Sequence, residues 1–370
     1  MPPWADRSLR PSTPCRRRVP SVADLRKDPL TGRWVVIAEG RSARPNEYAA
    51  PVPLSSAADC PFCEGHESQT PPEVAAVRRE GTPADGPGWR VRTIPNRFPT
   101  LAPTAPRRIR GVTPEFFAAR PGYGYHEVII ESPQHEPALP FLPPDLARDA
   151  VRMYRDRVAA LASRPSVRSV VLFENYGPES GGTLMHPHAQ VVATPVVPSV
   201  LADEAAATQR FARNHPGGCL LETVAKEEQK QRKRVVFDDG VFLAVAPFAS
   251  VHPDEILIIP WRHAPSIADA TSTELARLAE ILPALLRAEF TIQPSLSYNF
   301  FMHFAPLVPR SSARFHWHIE IVPRLVRPDG FDIGSGIPVN PVPPEVAAPA
   351  LREGLSRVAS EAPPVNVGRA

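Results

Sequence analysis

Two stretches of this sequence, far apart in the chain, spell nearly the same thing, and that repeat restricts the possible folds more than any other feature. Residues 126–135 read HEVIIESPQH, and residues 254–263 read DEILIIPWRH. In each, an acidic residue opens a β-rich run and a histidine closes it at the same spacing, Glu127 to His135 and Glu255 to His263. Each run leads into apolar residues at helical spacing. These are Leu146, Ala150, Tyr154, Val158 and Leu161 in the first copy, and Leu275, Leu278, Leu282 and Leu285 in the second. A second β-rich run comes next, residues 170–174 and 296–302. Each copy closes on His-x-His, His186 with His188 and His316 with His318, at almost the same offset as the opening runs. Five features in one order predict two copies of one α+β unit, each a small antiparallel sheet with helices.

The 370 residues suit such a pair. The expected division is a loose Pro/Arg-rich tail at 1–25, a first unit at 26–197, a second at 198–345, and a C-terminal helix or tail at 346–370. Residues 34–38 read as a first strand, and 46–88 as mostly loop. Apolar residues make up 43% and charged residues 22%, enough for a sizeable core. A net charge of +3 is too balanced for a nucleic-acid surface. No run of about 18 apolar residues offers a membrane span, and the arginine-rich start is not followed by the apolar stretch of a secretory signal. Four cysteines are too few for a disulfide scaffold of this size. A cytoplasmic protein with 48 prolines, and therefore many short elements, is the expectation.

Cys60-Pro-Phe-Cys63 admits three readings. A thiol-redox motif would need a strand before it and a helix opening at the first cysteine, and the flanks PVPLSSAAD and EGHESQTPPE show neither. Half of a zinc site suits the two-residue spacing, with two ligands to come from elsewhere. Two unconnected thiols remain the plain alternative. Cys15 and Cys219 look like bystanders.

Residues 181–195, GGTLMHPHAQVVATP, are the chemical centre. On a strand His186, His188 and Gln190 share one face. The preceding Gly181-Gly182-Thr183 lets backbone N–H groups approach an anion. A neutral histidine there can attack phosphorus, and donors such as Gln190 and Thr183 can hold the non-bridging oxygens. A polar outer strand face is the simpler reading of the same pattern.

These motifs together resemble the galactose-1-phosphate uridylyltransferase family, the nucleotidyl-transferring branch of the histidine-triad superfamily. The resemblance rests on RSARP, CPFC, PNRFP, SPQH, FENYG, HPHAQ and the late HWH. It implies two histidine-triad-like repeats, a homodimer, and nucleotide sugar and sugar 1-phosphate as substrates. It implies His188 as nucleophile and Gln190 as the residue that bonds the transferred phosphoryl group. It makes Cys60, Cys63, His135 and His186 structural zinc ligands, with His66 a weaker competitor to His135. Asn175, Gly181 and Thr183 match phosphate and catalytic-loop positions, Arg41 and Arg44 match arginines near the substrate phosphates, and Asn96, Arg97 and Phe98 match the nucleotide-contacting stretch. A second metal site, iron or zinc, is implied at Glu204, His303, His316 and His318, structural because Glu320 stands where the first copy has Gln190. His126, His252 and His263 are left as ordinary structural histidines.

The implied reaction is exchange between UDP-glucose and galactose 1-phosphate. After His318 the chain lacks the family's usual Tyr-Glu pair, in which it is similar to a divergent branch that includes plant-type ADP-glucose phosphorylase. That makes an ADP-sugar phosphorylase or adenylyltransferase the chief rival. Phe331, Gly334, Ser335 and Asn340 are the candidates for sugar contacts in the altered segment. A hydrolase is disfavoured by Gln190 in place of a third histidine, and a non-catalytic zinc scaffold predicts no adduct on His188.

Overall fold

The computed structural model describes residues 57–104, 116–308 and 314–360, together with the backbone of two short strands, β1 (Asp24–Lys27) and β2 (Trp34–Ile37). Apart from residues 24 and 25, the tail expected at 1–25 lies outside the described residues, as does Cys15. β2 coincides with the first strand expected from residues 34–38. β3 (Ala75–Arg78) and β4 (Trp89–Pro95) follow; β3 was hidden in the Pro/Ser-rich text read as loop. β5 (Ala119–Pro121) joins β1 and β2 in a small three-stranded sheet.

The first copy of the repeat is β6 (Tyr125–Ile130), α1 (Pro144–Ala162), β7 (Ser169–Tyr176) and β8 (His188–Thr194). Two helices then lead across, α2 (Ser199–Asn214) and α3 (Leu220–Gln231). The hairpin β9 (Val235–Asp238) and β10 (Phe242–Val245) corresponds to β3 and β4. The second copy is β11 (Ile256–Pro260), α4 (Ser272–Ile292), β12 (Tyr298–His303) and β13 (His318–Pro323). The chain closes with α5 (Gly330–Ser335) and α6 (Pro344–Ser360).

Local chemistry explains the helix ends. Prolines at 143 and 144 open α1 where its first N–H groups lack partners in any case. A reciprocal capping box between Thr271 and Glu274 opens α4, and Pro294 follows its C-cap Gln293.

The two copies do not form two sheets. Their strands run in the order β3-β4-β6-β8-β7-β12-β13-β11-β10-β9, which is palindromic about the β7–β12 pair. A continuous register, from Tyr176 opposite Tyr298 to Val171 opposite His303, welds the halves. Each copy alone would end in an exposed edge strand, and pairing the edges satisfies those backbone groups.

Strand alternation then separates structure from chemistry. Ala189, Val191, Ala193, Ile319, Ile321, Tyr298, Phe300 and Met302 face α1 and α4 in one large apolar core. His188, Gln190, His303, His318 and Glu320 stand at the intervening positions and so face the other way. That second face is covered by the Cys60–Cys63 turn over the first copy and by α2 over the second.

Candidate active site

His188 begins β8 and lies opposite Ile130 of β6. Its Nδ1 is 2.8 Å from the carbonyl oxygen of His186. A carbonyl only accepts, so Nδ1 carries a proton, and in the neutral ring Nε2 keeps its lone pair. The ring is 8% exposed, and Phe62 meets it edge-on with centroids 5.3 Å apart. A cavity of about 440 Å³ opens beside it, lined by Asn175, Gly177, His186, His188 and Ser297 among others.

His186 does not share a strand face with His188, because β8 starts only at His188. Its ring turns instead into a four-residue cluster with Cys60, Cys63 and His135, all ligand atoms lying within 4.8 Å of one another. The Cys60 Sγ–His186 Nδ1, Cys63 Sγ–His186 Nδ1 and Cys63 Sγ–His135 Nδ1 separations are each 3.6 Å. A tetrahedral zinc with ordinary Zn–S and Zn–N bonds spaces its ligands about 3.6 Å apart, so this donor set fits that ion. His186 Nε2 donates to the Ser132 carbonyl at 2.8 Å, which leaves Nδ1 aimed at the cluster. Burial pulls the His186 pKa down to about 3 and pushes the Cys60 thiol up to about 12. A redox thiol needs the opposite shift, and no helix opens at Cys60. His66 stays out of the cluster, its Nδ1 bonded to the Cys60 carbonyl at 2.7 Å.

Asn175 stands on β7 and lines the cavity with His188, and Gly181 and Thr183 follow in the loop from β7 to β8. Asn299 of β12 donates to Asn175 Oδ1 at 2.7 Å and to the Ser180 carbonyl at 3.0 Å, so the second copy fastens the first copy's loop. Gly177 has φ +83°, and a Cβ there would stand 2.3 Å from Ser297 Oγ, which excludes any side chain. Gln190 lies two residues beyond His188 on the same face, with its Oε1 held 2.9 Å from His126 Nε2. Asn96, just past β4, reaches this pair, with Nδ2 3.1 Å from His126 Nε2. Arg97 is exposed with its guanidinium over the Phe98 ring. Arg41 and Arg44 lie outside the described residues.

In the second copy the structure corrects the expected set. Glu204, His303 and His318 do converge, but their fourth partner is Glu320 and not His316. His303 Nδ1 is 2.9 Å from Glu204 Oε1, and His318 Nε2 is 3.5 Å from Glu320 Oε1. Burial works against charge on His318, yet Glu320 and Glu204 hold its pKa above the ordinary value. His316 sits before β13 as His186 sits before β8, and turns the same way. Its Nδ1 is 3.4 Å from Cys219 Sγ, and it forms a three-residue cluster with Cys219 and His263. Cys219 is therefore no bystander, and His263 is not merely structural filling. The repeat already carried that signal, since it maps His135 onto His263 and His186 onto His316.

The altered C-terminal segment lines a cavity of about 520 Å³ together with His252 and Arg324. Phe331, Gly334 and Ser335 are exposed on α5. Asn340 is engaged elsewhere, its Nδ2 within 3.0 Å of Ser250 Oγ and of the Ser250 and His252 carbonyls. Among the described residues, no helix is long and apolar enough to cross a membrane.

Comparison with known proteins follows the same line. A family model, the galactose-1-phosphate uridyl transferase N-terminal domain, matches residues 18–198, and its C-terminal counterpart matches residues 203–332. The chain is 32% identical over 340 residues to the ADP-glucose phosphorylase of Arabidopsis thaliana, covering 89% of this chain and 92% of that one. It is 28% identical over 341 residues to the galactose-1-phosphate uridylyltransferase of Thermotoga maritima, covering 90% and 98%. The crystal structure of the Arabidopsis thaliana ADP-glucose phosphorylase with bound ADP-glucose superposes with a TM-score of 0.69, covering 89% of this chain and 98% of that one.

Proposed function

The chain belongs to the galactose-1-phosphate uridyl transferase family, and we propose that it moves a nucleoside monophosphate between sugar 1-phosphates through a covalent bond to His188. The observation that carries this reading is the His188 ring: Nδ1–H fixed on the His186 carbonyl, so that the lone pair of the neutral ring is on Nε2, and a cavity beside the residue. In the first step Nε2 attacks the α-phosphorus of a nucleotide sugar. A P–N bond forms, the bond to the bridging oxygen breaks, and sugar 1-phosphate leaves with that electron pair. In the second step a phosphate oxygen of the incoming sugar 1-phosphate attacks the same phosphorus, and the P–N bond returns its electrons to Nε2. The Gln190 amide and the N–H groups of the loop at 181–183 stabilise charge on the non-bridging oxygens.

Cys60, Cys63, His135 and His186 would hold a zinc ion, which would supply rigidity at the entrance to β8 and no chemistry at phosphorus. Fixing His186 fixes the carbonyl that orients His188, and small misplacements of a nucleophile cost large rate factors. Glu204, His303, His318 and Glu320 offer two imidazoles and two carboxylates to a second divalent ion, iron or zinc.

The nucleotide is read as uridylate, with UDP-glucose and galactose 1-phosphate as the pair exchanged. A second reading, phosphorolysis or exchange of an ADP-sugar, is favoured by the 32% identity to an ADP-glucose phosphorylase and by the segment after His318 without Tyr-Glu. Incubating the protein with UDP-glucose or ADP-glucose, each labelled at the α-phosphate, tests both. The nucleotide that labels His188 identifies the base, and absence of label from either would refute the covalent mechanism.

A further inference from the structure

Gln190 can serve a phosphoryl oxygen only if its NH2 end faces the ligand, and a carboxamide has no intrinsic preference between its two ends. The hydrogen bonds behind it decide the matter. The Thr100 backbone N–H donates to His126 Nδ1 at 3.0 Å. That nitrogen must therefore be unprotonated, which places the ring proton on Nε2. The Phe98 backbone N–H donates to Asn96 Oδ1 at 2.8 Å, which leaves Asn96 Nδ2 as the end turned towards the histidine.

Two N–H donors, His126 Nε2 and Asn96 Nδ2, thus stand 3.1 Å apart and converge on one atom, Gln190 Oε1, at 2.9 and 3.4 Å. With the amide reversed, three donors would face one another in a nearly dry place: His126 is 4% and Gln190 6% exposed. Strand register holds the parts together, because Gln190 lies opposite Val128, two residues beyond His126 on β6. The Asn96 backbone N–H also donates to the His126 carbonyl at 2.8 Å.

We propose that His126 is a positioning residue for nucleotidyl transfer. Its Nε2–H, set by the Thr100 amide and seconded by Asn96, locks the Gln190 carboxamide with its NH2 end towards the phosphoryl group. Asn96 then acts on the catalytic amide from behind, in place of the nucleotide contact its sequence position implies. This deepens the reading in which Gln190 binds the transferred group and rests on it.

A double-mutant cycle on the full chain tests the inference, read as the rate of His188 labelling from α-labelled nucleotide sugar. His126→Phe removes the donor and is expected to slow labelling roughly ten- to a hundredfold with little change in KM, a fraction of the loss seen when a charge-stabilising donor is deleted outright. His126→Gln, whose amide can donate from the position of Nε2, should recover most of that loss. In a Gln190→Ala background His126→Phe should cost less than twofold. Thermal midpoint and zinc content, measured on every variant, separate positioning from unfolding. A full extra loss in the Gln190→Ala background, or a well-folded His126→Gln as slow as His126→Phe, would overturn the inference. If Gln190→Ala alone leaves the rate unchanged, the role of Gln190 falls and this proposal falls with it. If Gln190→Ala is slow while a folded His126→Phe is not, only the proposal falls.

Discussion

His188 and His318 hold their rings in the same way and meet different surroundings. Each gives its Nδ1–H to the carbonyl two residues before it, at 2.8 and 3.1 Å. Two residues on, the first copy has a neutral amide and the second a carboxylate, and Glu204 closes on the second from α2. Nε2 of His318 therefore faces negative charge, which repels a phosphate and suits a cation, while Nε2 of His188 borders a cavity. His188→Gly is expected to abolish turnover and labelling while leaving zinc content, by atomic absorption, unchanged. Substantial residual activity would exclude His188 as nucleophile. Cys63→Ser should instead lose the zinc of the first cluster and cost on the order of 3 kcal/mol of stability, seen as a lower denaturation midpoint together with slow turnover.

At the scale of elements, the strand carrying His188 is held to β6 on both sides of that residue. The Glu131 backbone N–H donates to the Pro187 carbonyl at 3.2 Å, and Ala189 pairs with Ile129. Glu131 also accepts from Tyr154 of α1, and Glu174 accepts from Tyr298 of β12 at 2.7 Å. Each carboxyl keeps one buried oxygen without any other donor, and one proton shared between the two satisfies both. Burial pushes both carboxyls up, Glu131 to about 7. An acid whose folded pKa exceeds its unfolded value favours the protonated form on folding. Its contribution to stability is complete below about pH 4.5 and is lost as pH rises to about 7. Glu131→Gln should flatten that slope in denaturation measured across pH 4.5–7, and an unchanged slope would show that the dyad does not share its proton. Four residues before Glu131, on β6, Glu127 accepts two 2.8 Å bonds from Arg157 of α1. Both side chains are about nine-tenths buried. Glu127→Gln removes one charge and strands the other, so a loss of about 3 kcal/mol is expected by chemical denaturation.

For the molecule as a whole, the β7–β12 weld makes ten strands into one sheet with helices α1 and α4 on a shared face. Tyr298 reaching Glu174, and Asn299 reaching Asn175 and the Ser180 carbonyl, carry the weld from the core to the loop between β7 and β8. A single calorimetric transition, with equal calorimetric and van't Hoff enthalpies, is expected for the described body. Two resolved transitions would show that the halves are thermodynamically separate.

Read alone, the residue order determined the repeat, the helices α1 and α4 and most strands, which follow from local periodicity, and periodicity survives in one dimension. That His135 and His186 join Cys60 and Cys63 was implied by the resemblance to a family and not by spacing. Through the repeat the residue order also contained the pairing of His263 with His316 in the second copy, while only the fold brings Cys219 to them. Only the tertiary structure decided which side of β13 takes His316, that Glu320 replaces it beside Glu204, and that His126 stands behind Gln190. A histidine placed just before a strand is released from the strand's alternation, and the partner across a sheet is set by register. Neither is written in the spacing of residues along the chain.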